Sequence, residues 1–444
     1  MRVLFICIFT LYAGAVFAWG ERGHRAITEA AALRFHDSLS KQESTELERA
    51  AGHFIRDRRY ELAHLSNIPD ISWRERDRFP LVAMAGDPNH YINAEHFLGE
   101  PPAEGTAEYS VYLKKMAELP AIYEVLLKQY EGTPSRLDKS NKALFIFREV
   151  GTAPWRGQQL FDLAVEALKC AAQKENPKTP IKGRFDLYSQ LKLERKEMRS
   201  LGNIDAHRYQ CFTSAVRAND LVMATAALGI LSHYIGDLAQ PYHTTVDYDG
   251  WHTGNGGIHR YFETDVVGAI GPQFELEIFE AASKGLSLKE ELLKNTKWKE
   301  TADVIREENG VARLLLLLTA NSYSKITEVR AIDDRLSKKK SAKLAWGESP
   351  SIGLKGETPQ MERLPPSDGR VQKAFGPLSI QRILLGSYIL SELWKAAWIS
   401  AGKPNLSRVD PKTKKFTYLP YSFDFPFIWP VYDRPALKRI IKDF

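Results

Sequence analysis

Cysteine is nearly absent: the chain of 444 residues has three, Cys7, Cys170 and Cys211. None stands in a C-x-x-C pair, which argues against a thiolate zinc ribbon or a dithiol redox motif. Charge of one sign is also scarce, since 61 basic residues against 55 acidic ones leave a net +6. That excess tolerates a polyanion or an anionic membrane and demands neither. Beyond residue 18 no segment reaches the about 20 consecutive apolar residues of a membrane span. Alternating strand patterns with hairpin turns are few and no internal repeat is evident, so barrels, sandwiches and solenoids are disfavoured.

What is present is an ordinary globular composition, 44% apolar and 26% charged, in a chain long enough for one large domain or two ordinary ones. The first eighteen residues differ from the rest. Arg2 precedes an almost unbroken apolar stretch over 3–17, and Val16 and Ala18 supply small residues for cleavage. This pattern reads as a secretory signal peptide rather than a retained anchor. The expected product is secreted or periplasmic, begins at Trp19 and has no transmembrane segment. Cys170 and Cys211 then remain as candidates for one disulfide, a pairing the sequence leaves open.

From Trp19 onward the period is helical. Ala26, Ala30 and Leu33 form an apolar stripe. Over 220–240, Leu221, Val222, Ala226, Ile230, Leu231 and Tyr234 share a face, with Asp220 as the expected N-cap and Pro241 as the stop. Another helix is predicted over 379–400, where Ile380, Ile383, Leu384, Ile389, Leu390 and Leu393 face a core. The fold class is all-α, a multi-helix bundle over 19–400. Residues 335–375 read as an exposed loop in which Lys338, Lys339, Lys340 and Lys343 are either phosphate contacts or, preferably, a solvated linker. A tail over 401–444, rich in proline and in rings such as Tyr418, Phe425 and Trp429, is expected to pack on the body.

The chemistry concentrates in His233-Tyr-Ile-Gly-Asp237-Leu-Ala-Gln-Pro-Tyr-His243. Residues four apart share a helical face, so His233 and Asp237 can hold one metal, and Pro241 turns the chain to bring His243 back. His259-Arg-Tyr-Phe-Glu263 repeats the same i,i+4 logic. One such pair is common by chance, whereas two around a Gln-Pro-x-His turn point to a metal centre.

This segment resembles the G-D-x-x-Q-P-x-H signature shared by zinc-dependent single-strand nucleases of the mung bean type and bacterial zinc phospholipase C. Trp19-Gly-Glu-Arg-Gly-His24 is similar to the start of the mature nucleases, where the tryptophan's own amine and carbonyl bind zinc. The resemblance implies three zinc ions and nine ligand positions. Asp70, His90, His233 and Asp237 would hold the first; His243, His259 and Glu263 the second; Trp19 and His24 the third, with Asp237 bridging. His90 is preferred to His96 because Tyr-Ile-Asn-Ala-Glu95 follows it. His252 lies between two ligands and can replace one or support them from behind. His36, His53, His64 and His207 read as ordinary surface or core residues.

Three zinc ions bring about +6 of charge, and three carboxylates with one hydroxide return about −4, leaving room for a phosphodiester. Asp70 and Asp237 are the expected catalytic carboxylates, ligands first. Trp73 stands where the nucleases tend to carry an arginine, so Arg74 becomes the candidate phosphate contact and Tyr91 a candidate base-stacking ring. The N-terminal motif and the run after His90 resemble the nucleases; Glu263 and its short spacing from His243 resemble phospholipase C. Single-stranded nucleic acid is slightly favoured over phospholipid as substrate, with an inactive zinc-binding homologue as the third reading. No obligate protein partner is evident, and the stretch over 101–217 exceeds what either family core needs.

Overall fold

The computed structural model describes residues 19–71, 73, 86–120, 150–172, 218–294, 296–345 and 361–406. The leader, Arg74, His207, Cys211 and the tail beyond Leu406 lie outside the described residues. The longer elements are α1 (Gly20–Leu39), α2 (Glu46–Asp57), α3 (Arg59–Leu65), α4 (Ala107–Met116), α5 (Ala153–Ala172), α6 (Ala218–Ala239), α7 (Gln273–Lys284), α8 (Gly310–Tyr323), α9 (Ile326–Leu336) and α10 (Gly369–Ser400). Among the described residues there is no strand, only isolated antiparallel bridges joining Ile92 to Gly151 and Lys339 to Glu362. The all-α expectation holds.

Helix α6 is the centre. Leu221, Ala224, Ala227, Leu228, Ile230, Leu231, Tyr234, Ile235 and Leu238 are all buried, and a helix apolar on every side needs neighbours all round. α5 packs along it most extensively, with α10, α3, α1 and α8 on the other sides. The polar groups this burial traps are bonded locally: Thr225 Oγ1 donates to Leu221 O at 2.8 Å, and Thr28 Oγ1 of α1 reaches Ser232 Oγ at 3.1 Å.

The last carbonyls of α6 have no intrahelical partners, and three other segments supply donors. Trp19 Nε1 donates to Gly236 O at 2.7 Å, Ser322 Oγ of α8 to Leu238 O at 2.5 Å, and Arg382 Nε of α10 to Ala239 O at 2.8 Å. The end of α6, where the chemistry-bearing residues cluster, is thereby tied to α1, α8 and α10.

Several expectations need correction. Asp220 lies within the first turn of α6, not at its cap. In α1 the buried stripe runs through Ala26, Ile27, Ala30, Ala31 and Phe35, while Leu33 is only half-buried. α10 starts ten residues earlier than the predicted helix, at Gly369, with Pro377 inside it. The loop reading of 369–375 is therefore wrong. Asp368 caps the helix by accepting from Arg370 N at 2.9 Å, and burial of Val371 and Phe375 outweighs the glycine and proline signals.

The stretch over 101–217 contributes α5, the main neighbour of α6. Cys170 in α5 is disulfide-bonded, and its partner lies outside the described residues. Residues 401–406 fold back onto α10, where Trp398 Nε1 donates to Pro404 O at 3.0 Å.

Candidate metal centre

The site begins with the one-turn spacing of His233 and Asp237, which puts both side chains on one face of α6, each fully buried. His233 Nε2 lies 3.2 Å from Asp237 Oδ2. A short 3-10 turn, Asp87–His90, then brings His90 Nδ1 to 3.0 Å from the same oxygen and 2.9 Å from His233 Nε2. Asp70, at the short helical turn Ile68–Ile71, stands just outside, with Oδ1 3.7 Å from His90 Nδ1 and 3.9 Å from His233 Nε2.

From α1, His24 stacks on His233 with ring centroids 4.3 Å apart, and its Nε2 is 3.4 Å from Asp237 Oδ1. Asp237 therefore turns one oxygen toward His90 and His233 and the other toward His24. The close approach of His24 requires glycine at 236, where a Cβ would lie 2.6 Å from His24 Nδ1.

The second group forms where α6 ends. Gln240 caps the turn Pro241–Thr244 with its side-chain oxygen on Tyr242 N, and its amide donates to Glu263 Oε2 at 2.5 Å. His243 Nε2 then sits 3.1 Å from His259 Nε2 and 3.4 Å from Glu263 Oε2, and His259 Nε2 is 2.6 Å from that oxygen. His259 and Glu263 lie on the continuous helical stretch 258–269, whose middle, Tyr261–Val266, is π-wound. Such widened turns recur at functional sites.

A strap over 91–95 holds His243 from the other side: Ile92 N donates to His243 O at 2.9 Å and Ala94 N to Thr244 O at 3.1 Å. Glu95 fastens the far end by accepting from Thr245 Oγ1 and, at 3.0 Å, from Val246 N. Burial pushes its carboxyl up to about 7 against those hydrogen bonds. Gly151, at φ 85°, lets the neighbouring chain pass, since a Cβ there would meet Tyr91 O.

Three of the imidazoles are oriented by main-chain carbonyls. Ser66 O accepts from His233 Nδ1 at 2.7 Å, His90 O from His243 Nδ1 at 2.6 Å, and Tyr248 O from His259 Nδ1 at 2.8 Å. A carbonyl only accepts, so each of these nitrogens carries the proton, and the neutral ring turns its Nε2 lone pair into the cluster. Three lone-pair donors facing one point repel unless a cation or a proton lies between them. A tetrahedral divalent ion with ligands near 2.1 Å sets its donors about 3.4 Å apart, and the donor separations above, from 2.6 to 3.9 Å, bracket that value. Both nitrogens of His24, Asp237 Oδ1 and Glu263 Oε1 are buried without a hydrogen-bond partner. The residues fit a metal. His24, Asp70 and His233; His90, His233 and Asp237; and His243, His259 and Glu263 are three buried donor groups able to hold metal ions, the first two sharing His233.

Metal-free, the same atoms must settle their charges by protonation. For Glu263, burial acts upward, but the His259 charge and hydrogen bonds from both histidines outweigh it and hold the carboxyl down at about 2. Burial acts downward on His259 and His233, and their carboxylate neighbours outweigh it, leaving both raised. Asp237 is held well below the usual carboxylate range by His233 and His243, against its burial. His24 is lowered by burial and by His233.

Of the other expected residues, Trp19 is fully buried beside the site, its carbonyl accepting from Gly23 N at 3.0 Å. Tyr91 is half-buried next to His90, whereas Arg74 lies outside the described residues. Trp73 is buried. His96 is exposed, and His252 is buried in the loop before His259 but belongs to none of the donor groups. Sequence reasoning assigned no role to Gln240 or Gly236, although both stand in the signature segment. The three orienting carbonyls carry no side-chain signal at all.

The fold and these donors define an all-helical protein with a candidate metal centre at the end of its central helix. A scan against protein-family models, a search of curated proteins and a search of solved structures each found no match to the chain.

Proposed function

We propose that the chain is a zinc-dependent phosphodiester hydrolase, with single-stranded nucleic acid favoured over phospholipid as substrate. The observation that carries this reading is the junction of two buried donor sets, all imidazole and carboxylate without thiolate, around Asp237 and Glu263. Such hard-to-borderline ligands suit hydrolytic zinc. Asp70, His90, His233 and Asp237 would hold one ion and His243, His259 and Glu263 a second. His24, with the amine and carbonyl of Trp19 once the leader is removed, would hold a third together with Asp237. When bound, zinc supplies Lewis acidity, activating water near neutral pH and offsetting phosphate charge.

The chain's own residues supply placement and dryness. Asp237 faces His90 and His233 with one oxygen and His24 with the other. Asp70 Oδ1 stands farther from the imidazoles than Asp237 Oδ2 does and would accept the proton that the attacking water gives up as its oxygen bonds to phosphorus and the ester oxygen departs. The burial of His90, His233, Asp237 and Glu263 excludes bulk water from the reacting group. Phospholipid is the second reading, on the glutamate at 263.

The test is a parallel assay of protein beginning at Trp19 on single-stranded DNA, RNA and phosphatidylcholine, with and without chelator, alongside elemental analysis. Three zinc ions per chain and chelator-sensitive cleavage of nucleic acid are expected. Asp237→Ala and His233→Ala should lose activity and metal while His96→Ala keeps both. Cleavage of phosphatidylcholine alone would select the second reading, and fully loaded protein inert on all three would overturn the hydrolase.

A further inference from the structure

Arg22 lies two residues before His24, and its side chain reaches away from the donor basin to the far end of the 258–269 helix. Its Nη1 donates to Val267 O at 3.0 Å, Ile270 O at 2.6 Å and Gly268 O at 3.3 Å. Nη2 donates to Gly271 O at 3.1 Å, and Nε and Nη2 hold Glu275 of α7 in a two-pronged pair at 2.7 and 2.8 Å. The guanidinium also lies 4.9 Å from the centre of the Phe274 ring. These carbonyls lie at the negatively polarised C-terminal end of the 258–269 helix, where Val267 O and Gly271 O also accept from Ile270 N and Phe274 N. A planar cation with five N–H groups matches them where an ammonium cannot.

A second observation shows why an anchor is needed there. Trp19 and Gly20 both take left-handed backbone conformations, at φ 43° and 51°. Gly20 reaches it without a Cβ penalty, so the turn itself holds the chain only loosely and is fastened from outside, whereas the Trp19 angle belongs to the chain before cleavage, since an N-terminal residue has no φ. The Trp19 ring is held by Gly236 O and by Phe262 at 5.7 Å. Arg22 fastens the next half-turn to the same helix that carries His259 and Glu263.

We propose that Arg22 is a positioning residue, latching the N-terminal turn onto the 258–269 helix so that His24 and the His259–Glu263 group are set in one frame before any metal binds. Its ion pair with Glu275 orients the guanidinium, and the helix-end carbonyls receive it. The metal part of this inference rests on the proposed metal centre; the docking part does not.

The experiment compares wild type, Arg22→Lys, Arg22→Ala and Arg25→Ala, the last removing a half-exposed arginine of the same helix whose ion pairs among the described residues are with Glu21 and Glu29. Metal-free protein is followed by hydrogen exchange resolved to segments. Each protein is then loaded with Co²⁺ and measured for bound ion and visible absorption. Arg22→Lys and Arg22→Ala should exchange faster in the first turn of α1 and at 266–271, with amides in the middle of α6 unchanged. They should also hold at least one cobalt about tenfold more weakly, with an altered absorption band. Arg25→Ala should match wild type in both. If Arg22→Ala does not fold, Arg22→Lys, which keeps a cation beside Glu275, decides the matter. Unchanged exchange at both segments in Arg22→Lys overturns the latch, and faster exchange with unchanged cobalt binding overturns its role in the metal frame. Wild type that binds no cobalt overturns the metal centre, and the exchange result then judges the latch alone.

Discussion

Asp237 meets His90 and His233 through Oδ2 and His24 through Oδ1, so one carboxylate couples α1, α6 and the turn at 87–90. The residue before it makes that possible. Gly236→Ala should gain about 1 kcal/mol of helix propensity and lose about 1–3 kcal/mol to overpacking. The new methyl would lie 2.6 Å from His24 Nδ1 and 2.8 Å from Cε1. His24 has nowhere to retreat, because its ring stacks on His233. We expect a small fall in the urea midpoint together with loss of one bound metal ion by elemental analysis. A variant with unchanged metal content would show that His24 can move aside and is no ligand.

At the scale of elements, α10 anchors the end of α6 through Arg382, which is fully buried and whose pKa burial lowers to about 10. Still charged at neutral pH, it donates to Ala239 O, to Asn321 Oδ1 at 2.5 Å and to Ser322 Oγ at 2.5 Å. A lysine cannot satisfy this spread of acceptors from one nitrogen. Arg382→Lys should therefore destabilise the fold by about 2–4 kcal/mol, since stranded buried groups cost about 1–3 kcal/mol each. Urea unfolding measures this directly, and a loss below about 0.5 kcal/mol would mean that water replaces the arginine.

The loop before His259 is buttressed in a similar way. Arg363 pairs with Asp333 at 2.8 Å and donates to Asn255 O and Gly256 O at 2.7 and 2.9 Å. The lysine-bearing strap lies against the same loop, with Ser341 N donating to Gly254 O at 3.1 Å. Lys338, Lys339, Lys340 and Lys343 themselves are exposed, and Lys340 pairs with Asp334 at 2.8 Å.

For the molecule as a whole, the donor basin makes stability depend on pH in opposite senses with and without metal. In metal-free protein, Glu263 sits at about 2 and His259 is raised. The carboxylate's contribution is present above its unfolded value of about 4.3 and is lost as pH falls toward 2. The imidazolium's is complete below its unfolded value of about 6.5 and disappears as pH rises through the higher folded value. His233, also raised, follows the same sign. Chelated protein should lose melting temperature as pH rises from about 6.5 through the raised folded values of His259 and His233. Metal-loaded protein should gain it between about pH 5 and about pH 7, because protons compete for the ligands. Melts with and without chelator across that range check both slopes. A chelated protein that gains stability on the alkaline side would show that the His259–Glu263 pair does not form.

The sequence by itself determined the helical class, because the period of the apolar residues is a local property that any burial of α6 must respect. It also determined the pairs His233 with Asp237 and His259 with Glu263, whose four-residue spacing fixes a shared face before any packing occurs. The start of α10 was not legible, since the favourable burial of Val371 and Phe375 depends on distant partners while Gly369 and Pro377 signal locally against a helix. Nor was the place of α5, whose value lies in covering α6. Only the tertiary structure decided that His24, Asp70 and His90 meet the α6 pair, and that the carbonyls of Ser66, His90 and Tyr248 aim the rings. Those relations are set by through-space contact between segments far apart in the chain, and a main-chain carbonyl is the same at every position, so no residue type announces which one will be used.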